Sequence, residues 1–112
     1  MRRVFRETPI FTERLDAVGD DSLLRSIEEA ILENPDAGAT VAGTGGVRKL
    51  RASDPSRRKG KRGGLRVLYL DLPDRERCYL LYLYGKDEAE DLTADEKKTF
   101  KELVTQIKGE AR

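Results

Sequence analysis

Four cations are spaced so that a folded sheet could gather them: Lys49, Arg51, Arg66 and Lys86. Lys49 and Arg51 are two residues apart, and a strand projects such a pair from one face. Arg66 lies in the next strand-like segment, and Lys86 ends the one after it. If these segments are neighbours, the charges converge on one face or end of a sheet. Arginine is a planar, permanently charged fork and lysine a compact charge on a flexible stem, a combination that grips phosphate oxygens. Between the segments runs Arg57-Arg58-Lys59-Gly60-Lys61-Arg62-Gly63-Gly64, whose glycines let the backbone approach a phosphate closely. Residues 43–67 hold nine basic residues, Arg48 among them, against Asp54 alone; that stretch is +8 within a chain of net charge +1. A charge run is often only a solvated face. This one is internal and bounded by apolar segments, which points to a polyanion site.

Other chemistries fare worse. The chain has one cysteine, Cys78, and no histidine, which excludes an internal disulfide, Cys/His zinc sites and histidine-dependent triads. Cys78 opens an apolar strand and reads as a small buried hydrophobe. Gly43-Thr44-Gly45-Gly46 is no dinucleotide fingerprint, since it precedes a strand and has Arg48 where a third glycine belongs. It reads as a flexible turn. Asp87-Glu88-Ala89-Glu90-Asp91 could hold a divalent cation, but acidic residues there also favour the start of a following helix through its dipole. Neither metal nor cofactor is expected. Among the tyrosines, Tyr84 stands apart because it sits at a strand end directly before Gly85-Lys86, where a phenol can stack on a base or touch phosphate.

The elements that must position these groups are legible from punctuation and periodicity. Val4-Phe5-Arg6 reads as a short strand. Thr8-Pro9 supplies an N-cap and a proline at the first helical position, and Phe11, Leu15 and Val18 share a face that ends at Gly19. A second helix starts near Asp20-Asp21-Ser22, buries a stripe through Leu23, Leu24, Ile27, Ala30 and Ile31, and stops at Asn34-Pro35. Residues 36–46 read as loop, Val47 to Ala52 as a strand, and Ser53 to Gly64 as a basic loop. Leu65 to Leu72 and Cys78 to Tyr84 are two strands apolar on both sides, joined by a turn at Pro73-Asp74-Arg75-Glu76. Thr93-Ala94-Asp95-Glu96 is a capping box, after which Phe100, Leu103, Val104 and Ile107 keep helical spacing. The order is β-α-α-β-β-β-α, an α+β domain with a twisted, mostly antiparallel sheet, an N-terminal helical hairpin and a C-terminal helix.

At 112 residues, a single domain spanning 1–112 is expected. No window approaches the roughly 18 apolar residues of a membrane span, and the first residues lack the apolar core of a secretory signal. A cytoplasmic setting without membrane contact follows as the expectation.

Three stretches together, Gly43 to Arg51, Gly60 to Tyr69 and Tyr82-Leu83-Tyr84-Gly85-Lys86, resemble the RelE/HigB toxins of bacterial type II toxin–antitoxin systems, within the RelE/ParE superfamily. The likeness is greatest to the HigB-like branch with a glycine-rich basic loop, and it runs in order through nearly the whole chain. It implies a microbial-ribonuclease-like fold, a ribosome-dependent mRNA interferase that cleaves translated mRNA and has mRNA on the ribosome and ribosomal RNA as partners, and a cognate antitoxin that blocks it. Lys49 and Arg51 match the family's paired basic strand positions, Arg66 the arginine after the glycine turn, and Lys86 the lysine after the last strand's glycine. Arg48, Arg57, Arg58, Lys59, Lys61 and Arg62 are then expected RNA contacts. Some members place an arginine after that lysine and a tyrosine a few residues later; this chain has Asp87 and no tyrosine between Ala89 and Thr93, which leaves Tyr84 as the tyrosine candidate.

The chemistry this implies is attack of an RNA 2′-hydroxyl on the adjacent phosphorus, with Arg51 and Arg66 stabilising the phosphorane. Lys49, crowded by other cations, is the candidate base, supported by Lys86 or Lys61. Two other readings use the same scaffold: a non-enzymatic gyrase inhibitor of the ParE type, or an RNA-binding protein without catalysis. A DNA-binding regulator ranks last, since no exposed basic recognition helix is visible.

Overall fold

The computed structural model describes residues 2–53, 64–85, 88 and 91–110. Its elements run β1 (Val4–Glu7), α1 (Pro9–Val18), α2 (Asp21–Glu33), β2 (Ala39–Thr40), β3 (Arg48–Ala52), β4 (Leu65–Leu72), a 3-10 turn at Pro73–Arg75, β5 (Arg77–Gly85) and α3 (Ala94–Lys108). The expected α+β architecture is therefore present, with one addition. Residues 36–46, read as loop, contain the two-residue strand β2, which pairs with β3 at Ala39–Lys49 and Thr40–Arg48.

The caps form where the sequence put them. Thr8 accepts a hydrogen bond from the Phe11 N–H at 3.1 Å, Pro9 takes the first helical position, and Gly19 closes α1 in the left-handed region at φ 73°. Asp20 caps α2, which ends at Asn34 before Pro35. Thr93 and Glu96 form a reciprocal capping box on α3. Each such cap contributes about 1 kcal/mol.

The five strands lie in the order β1-β5-β4-β3-β2, with β4 in the middle. All pairings are antiparallel except β1 with β5, which is parallel. The helical hairpin covers one face: Phe11, Leu23, Ile27 and Ile31 pack on Leu65, Val67, Tyr69, Cys78, Leu80 and Leu83. Helix α3 covers the other, where Val104 and Ile107 meet Leu68, Leu70, Tyr79 and Leu81. Phe11 is fully buried; such a side chain stabilises the fold by about 1.5–3 kcal/mol.

One irregularity decides which side chains reach the α3 face. The β4–β5 register steps from Leu68–Tyr82 to Tyr69–Leu80, so Leu81 is an extra residue on β5. Strict alternation would send Tyr82 and Tyr84 to the side of Cys78 and Leu80. The bulge instead places Tyr82 and Tyr84 with Tyr79 and Leu81 on the α3 face, while Leu83 joins Cys78 and Leu80 on the other.

Candidate active site

Register brings three of the sequence-predicted residues into one row. Arg51 on β3 stands opposite Arg66 on β4, and Arg66 stands opposite Tyr84 on β5. Directly paired residues share a face with Cβ atoms about 5 Å apart, so the row spans roughly 10 Å. Lys49 lies two residues along β3 from Arg51, on the same face, opposite Leu68. Four groups from three strands thus share the end of the α3 face. Lys86 and the loop residues Arg57, Arg58, Lys59, Lys61 and Arg62 lie outside the described residues.

Burial grades the row. Arg51 is exposed, Lys49 half-buried, and Arg66 and Tyr84 are buried at 5% and 3% exposure. Two arginines side by side on β3 and β4 present guanidinium donors that can together hold the non-bridging oxygens of one phosphodiester. Arg66 also donates from Nη1 to the Leu65 carbonyl at 3.3 Å, which holds its stem along the strand. The Lys49 ammonium faces the Asp91 carboxylate at 3.9 Å, and Asp91 in turn accepts from the Leu92 N–H at 3.0 Å.

Tyr84 is the least ordinary member. Its hydroxyl is buried and has no hydrogen-bond partner among the described residues. Burial pushes the phenol above its usual range, opposed by the charge of Arg66. A phenol held protonated in this way is a hydrogen-bond donor and not a base at neutral pH. Its ring lies 5.8 Å from that of Tyr82, which is 6.1 Å from Phe100 on α3.

Arg48 is not part of this group. It shares the register position of Tyr69, on the hairpin face, and donates to the Gly38 carbonyl at 2.8 Å while pairing with Asp36 at 3.2 Å. Cys78 is fully buried on the hairpin face, and burial pushes its thiol up to about 12, which suits a packing role. No three His, Cys, Asp or Glu side chains converge as a metal site among the described residues.

The Gly43-Thr44-Gly45-Gly46 turn is pinned more firmly than its composition suggests. The buried Thr44 hydroxyl donates to the Val41 carbonyl at 2.6 Å and accepts from the Val47 N–H at 3.1 Å. Gly45, at φ 79°, lies against Val104 of α3, where a Cβ would sit 3.4 Å from Cγ1. The turn therefore docks β3 against α3 and fixes where Lys49 and Arg51 emerge.

Sequence reasoning passed over Arg14. From α1 its Nε–H donates to the Leu83 carbonyl, its guanidinium pairs with Glu88, and its Cζ lies 4.9 Å from the centre of the Tyr82 ring. No motif marks this residue, because its partners lie on a strand near the other end of the chain.

Two comparisons bear on this architecture. Residues 2–111 match the family described as the RelE toxin of the RelE/RelB toxin–antitoxin system. The fold is similar to that of a doubly substituted arginine-to-alanine mutant of the E. coli toxin RelE in the free state, with a TM-score of 0.57 at 13% identity, covering 80% of this chain and 90% of that one. Among the described residues no helix is long and apolar enough to cross a membrane. The family match over nearly the whole length leads to the conclusion that this chain belongs to the RelE toxin family, the toxin half of systems whose other half is an antitoxin.

Proposed function

We propose that the chain is a ribosome-dependent endoribonuclease that cuts mRNA during translation. The observation that supports this reading most is the shared face of Lys49, Arg51, Arg66 and Tyr84 across β3, β4 and β5. A phosphodiester laid over the row meets two guanidinium groups, which bind its non-bridging oxygens. The 2′-oxygen of the upstream nucleotide attacks phosphorus in line and its proton passes to Lys49, which acts here as the uncharged amine after giving its own proton to solvent. The bond to the 5′-oxygen breaks, leaving a 2′,3′-cyclic phosphate and a 5′-hydroxyl that takes its proton from the site. Arg51 and Arg66 stabilise the additional negative charge of the phosphorane, where electrostatic preorganisation counts most. The Tyr84 phenol, protonated, donates to the departing 5′-oxygen. Lys86 and the Arg57-to-Arg62 loop complete the proposed contacts with mRNA and ribosomal RNA. With no histidine in the chain, proton transfer is weak, and the ribosome's alignment of the mRNA supplies what the side chains lack.

The test is expression of the wild type, Arg51→Ala and Arg66→Ala in cells, followed by mapping of mRNA 5′ ends. Cleavage within translated codons that disappears in both variants is the expected result. Arg51 is exposed, so its variant separates loss of chemistry from loss of fold. Intact mRNA beside arrested DNA replication would replace this reading with gyrase inhibition.

A further inference from the structure

Strand β1 covers the edge of β5 only from Arg77 to Leu80, because the chain turns into α1 after Glu7. Beyond Leu80 that edge of β5 has no strand beside it among the described residues, and its carbonyls need other donors. Helix α1 and its cap provide them. The Thr8 hydroxyl donates to the Leu81 carbonyl at 2.8 Å, and the Arg14 Nε–H donates to the Leu83 carbonyl. Arg14 then reaches Glu88 with its guanidinium. Glu88 bends back onto the strand end: its carboxylate accepts from the Gly85 N–H at 3.0 Å, and its own N–H donates to the Gly85 carbonyl at 3.0 Å. The same guanidinium covers the ring of Tyr82, the neighbour of Tyr84.

We propose that Arg14 and Glu88 are positioning residues, a clasp from α1 that fixes the end of β5 and with it Tyr84 beside Arg66. This rests on the endoribonuclease reading above. The pair is too exposed to serve mainly as a stabiliser: the Arg14 and Glu88 side chains retain 28% and 53% exposure, and ion pairs of that kind add little to folding. Its contacts fall on Tyr82, Leu83 and Gly85, the residues that flank Tyr84 at the end of β5. A lysine at position 14 could pair with Glu88 but could not also serve the Leu83 carbonyl and lie flat over Tyr82.

The experiment compares wild type, Arg14→Ala, Arg14→Lys, Glu88→Ala and the Arg14→Ala/Glu88→Ala double variant. Each is assayed for mRNA cleavage on programmed ribosomes, with amide hydrogen exchange read at Gly85 and Tyr84. For Arg14→Ala the expected loss is about tenfold to a hundredfold in kcat, as for a reacting group displaced by a fraction of an ångström to an ångström, with KM changed less than about threefold. Arg14→Lys should fall between, and the double variant should lose no more than the worse single one, because the two residues act as a unit. Gly85 exchange should accelerate in every variant while the melting temperature stays near that of the wild type. Unchanged Gly85 exchange in Arg14→Ala, or multiplicative losses in the double variant, would overturn the clasp. Failure of the wild type itself to cut ribosome-bound mRNA would instead remove the endoribonuclease reading, and the positioning role with it.

Discussion

Replacing Tyr84 by phenylalanine should make the protein more stable and less active, an opposition that few substitutions produce. The ring is buried at 3% exposure, among Tyr82, Leu92 and the α3 core, and phenylalanine retains all of that apolar contact. What is lost is a hydroxyl with no hydrogen-bond partner among the described residues. A buried polar group left unsatisfied costs about 1–3 kcal/mol. Taking the lower half of that range to allow for local relaxation, Tyr84→Phe gains about 1–2 kcal/mol. For a domain of this size each kcal/mol moves Tm by roughly 4–8 °C, so a rise of at least about 4 °C is expected. Activity should move the other way, because a positioned proton donor contributes about a hundredfold or more. Thermal denaturation followed by circular dichroism gives the first quantity and single-turnover cleavage on ribosomes the second. A lower Tm would mean that the hydroxyl has a partner in the folded state, and full activity would mean that it takes no part in catalysis. Either result refutes the role assigned to it.

Three further outcomes follow from the same geometry. Arg51→Ala should weaken binding of a 2′-O-methylated single-stranded RNA and reduce the slope of log affinity against log salt by about 0.7, the value of one neutralised phosphate; Arg48→Ala, altered on the opposite face, should leave that slope unchanged in a filter-binding titration. Thr44→Val keeps the shape of the side chain but strips the Val47 N–H of its acceptor, and should cost about 1–3 kcal/mol in urea denaturation. The Cys78 thiol titrates near 9.0 in the unfolded chain and at about 12 when folded. The raised folded value means that stability is complete below about pH 9 and falls as pH climbs towards 12, by about 1.4 kcal/mol per pH unit for this group. Cys78→Ala should flatten the alkaline limb by that amount in denaturant titrations across the range, and an unaltered limb would show that the thiol ionises in the native state.

How much of this was readable in the sequence varies with how local the cause is. Helix ends depend on residues within one turn, so Thr8-Pro9, Gly19, Asn34-Pro35 and Thr93 with Glu96 marked α1, α2 and α3 correctly. The long apolar runs of β4 and β5 identified the two central strands for the same reason. The two-residue strand β2 left no trace, since its pairing is set by β3. Parallel pairing of β1 with β5 joins residues more than seventy positions apart, and no local pattern encodes it. The site shows the same division. The spacing of Lys49 and Arg51 was enough to place them on one face, whereas the side on which Tyr84 emerges depends on the extra residue at Leu81, and simple alternation gives the wrong face. Arg48 entered the basic group by proximity in sequence; its pairing with Asp36 and Gly38 belongs to the three-dimensional structure.

The strand order carries a consequence for how the molecule comes into being during synthesis. The sheet's second position is filled by residues 77–85, which leave the ribosome after every other strand, and the first strand has no neighbour until they arrive. A nascent chain stalled before that point holds Arg51 and Arg66 but lacks the wall that completes their surroundings, and its first and fourth strands stand apart with bare edges. A sheet built in this order closes only once β5 has been made, so Arg51 and Arg66 gain their full surroundings after all the other described strands are in place.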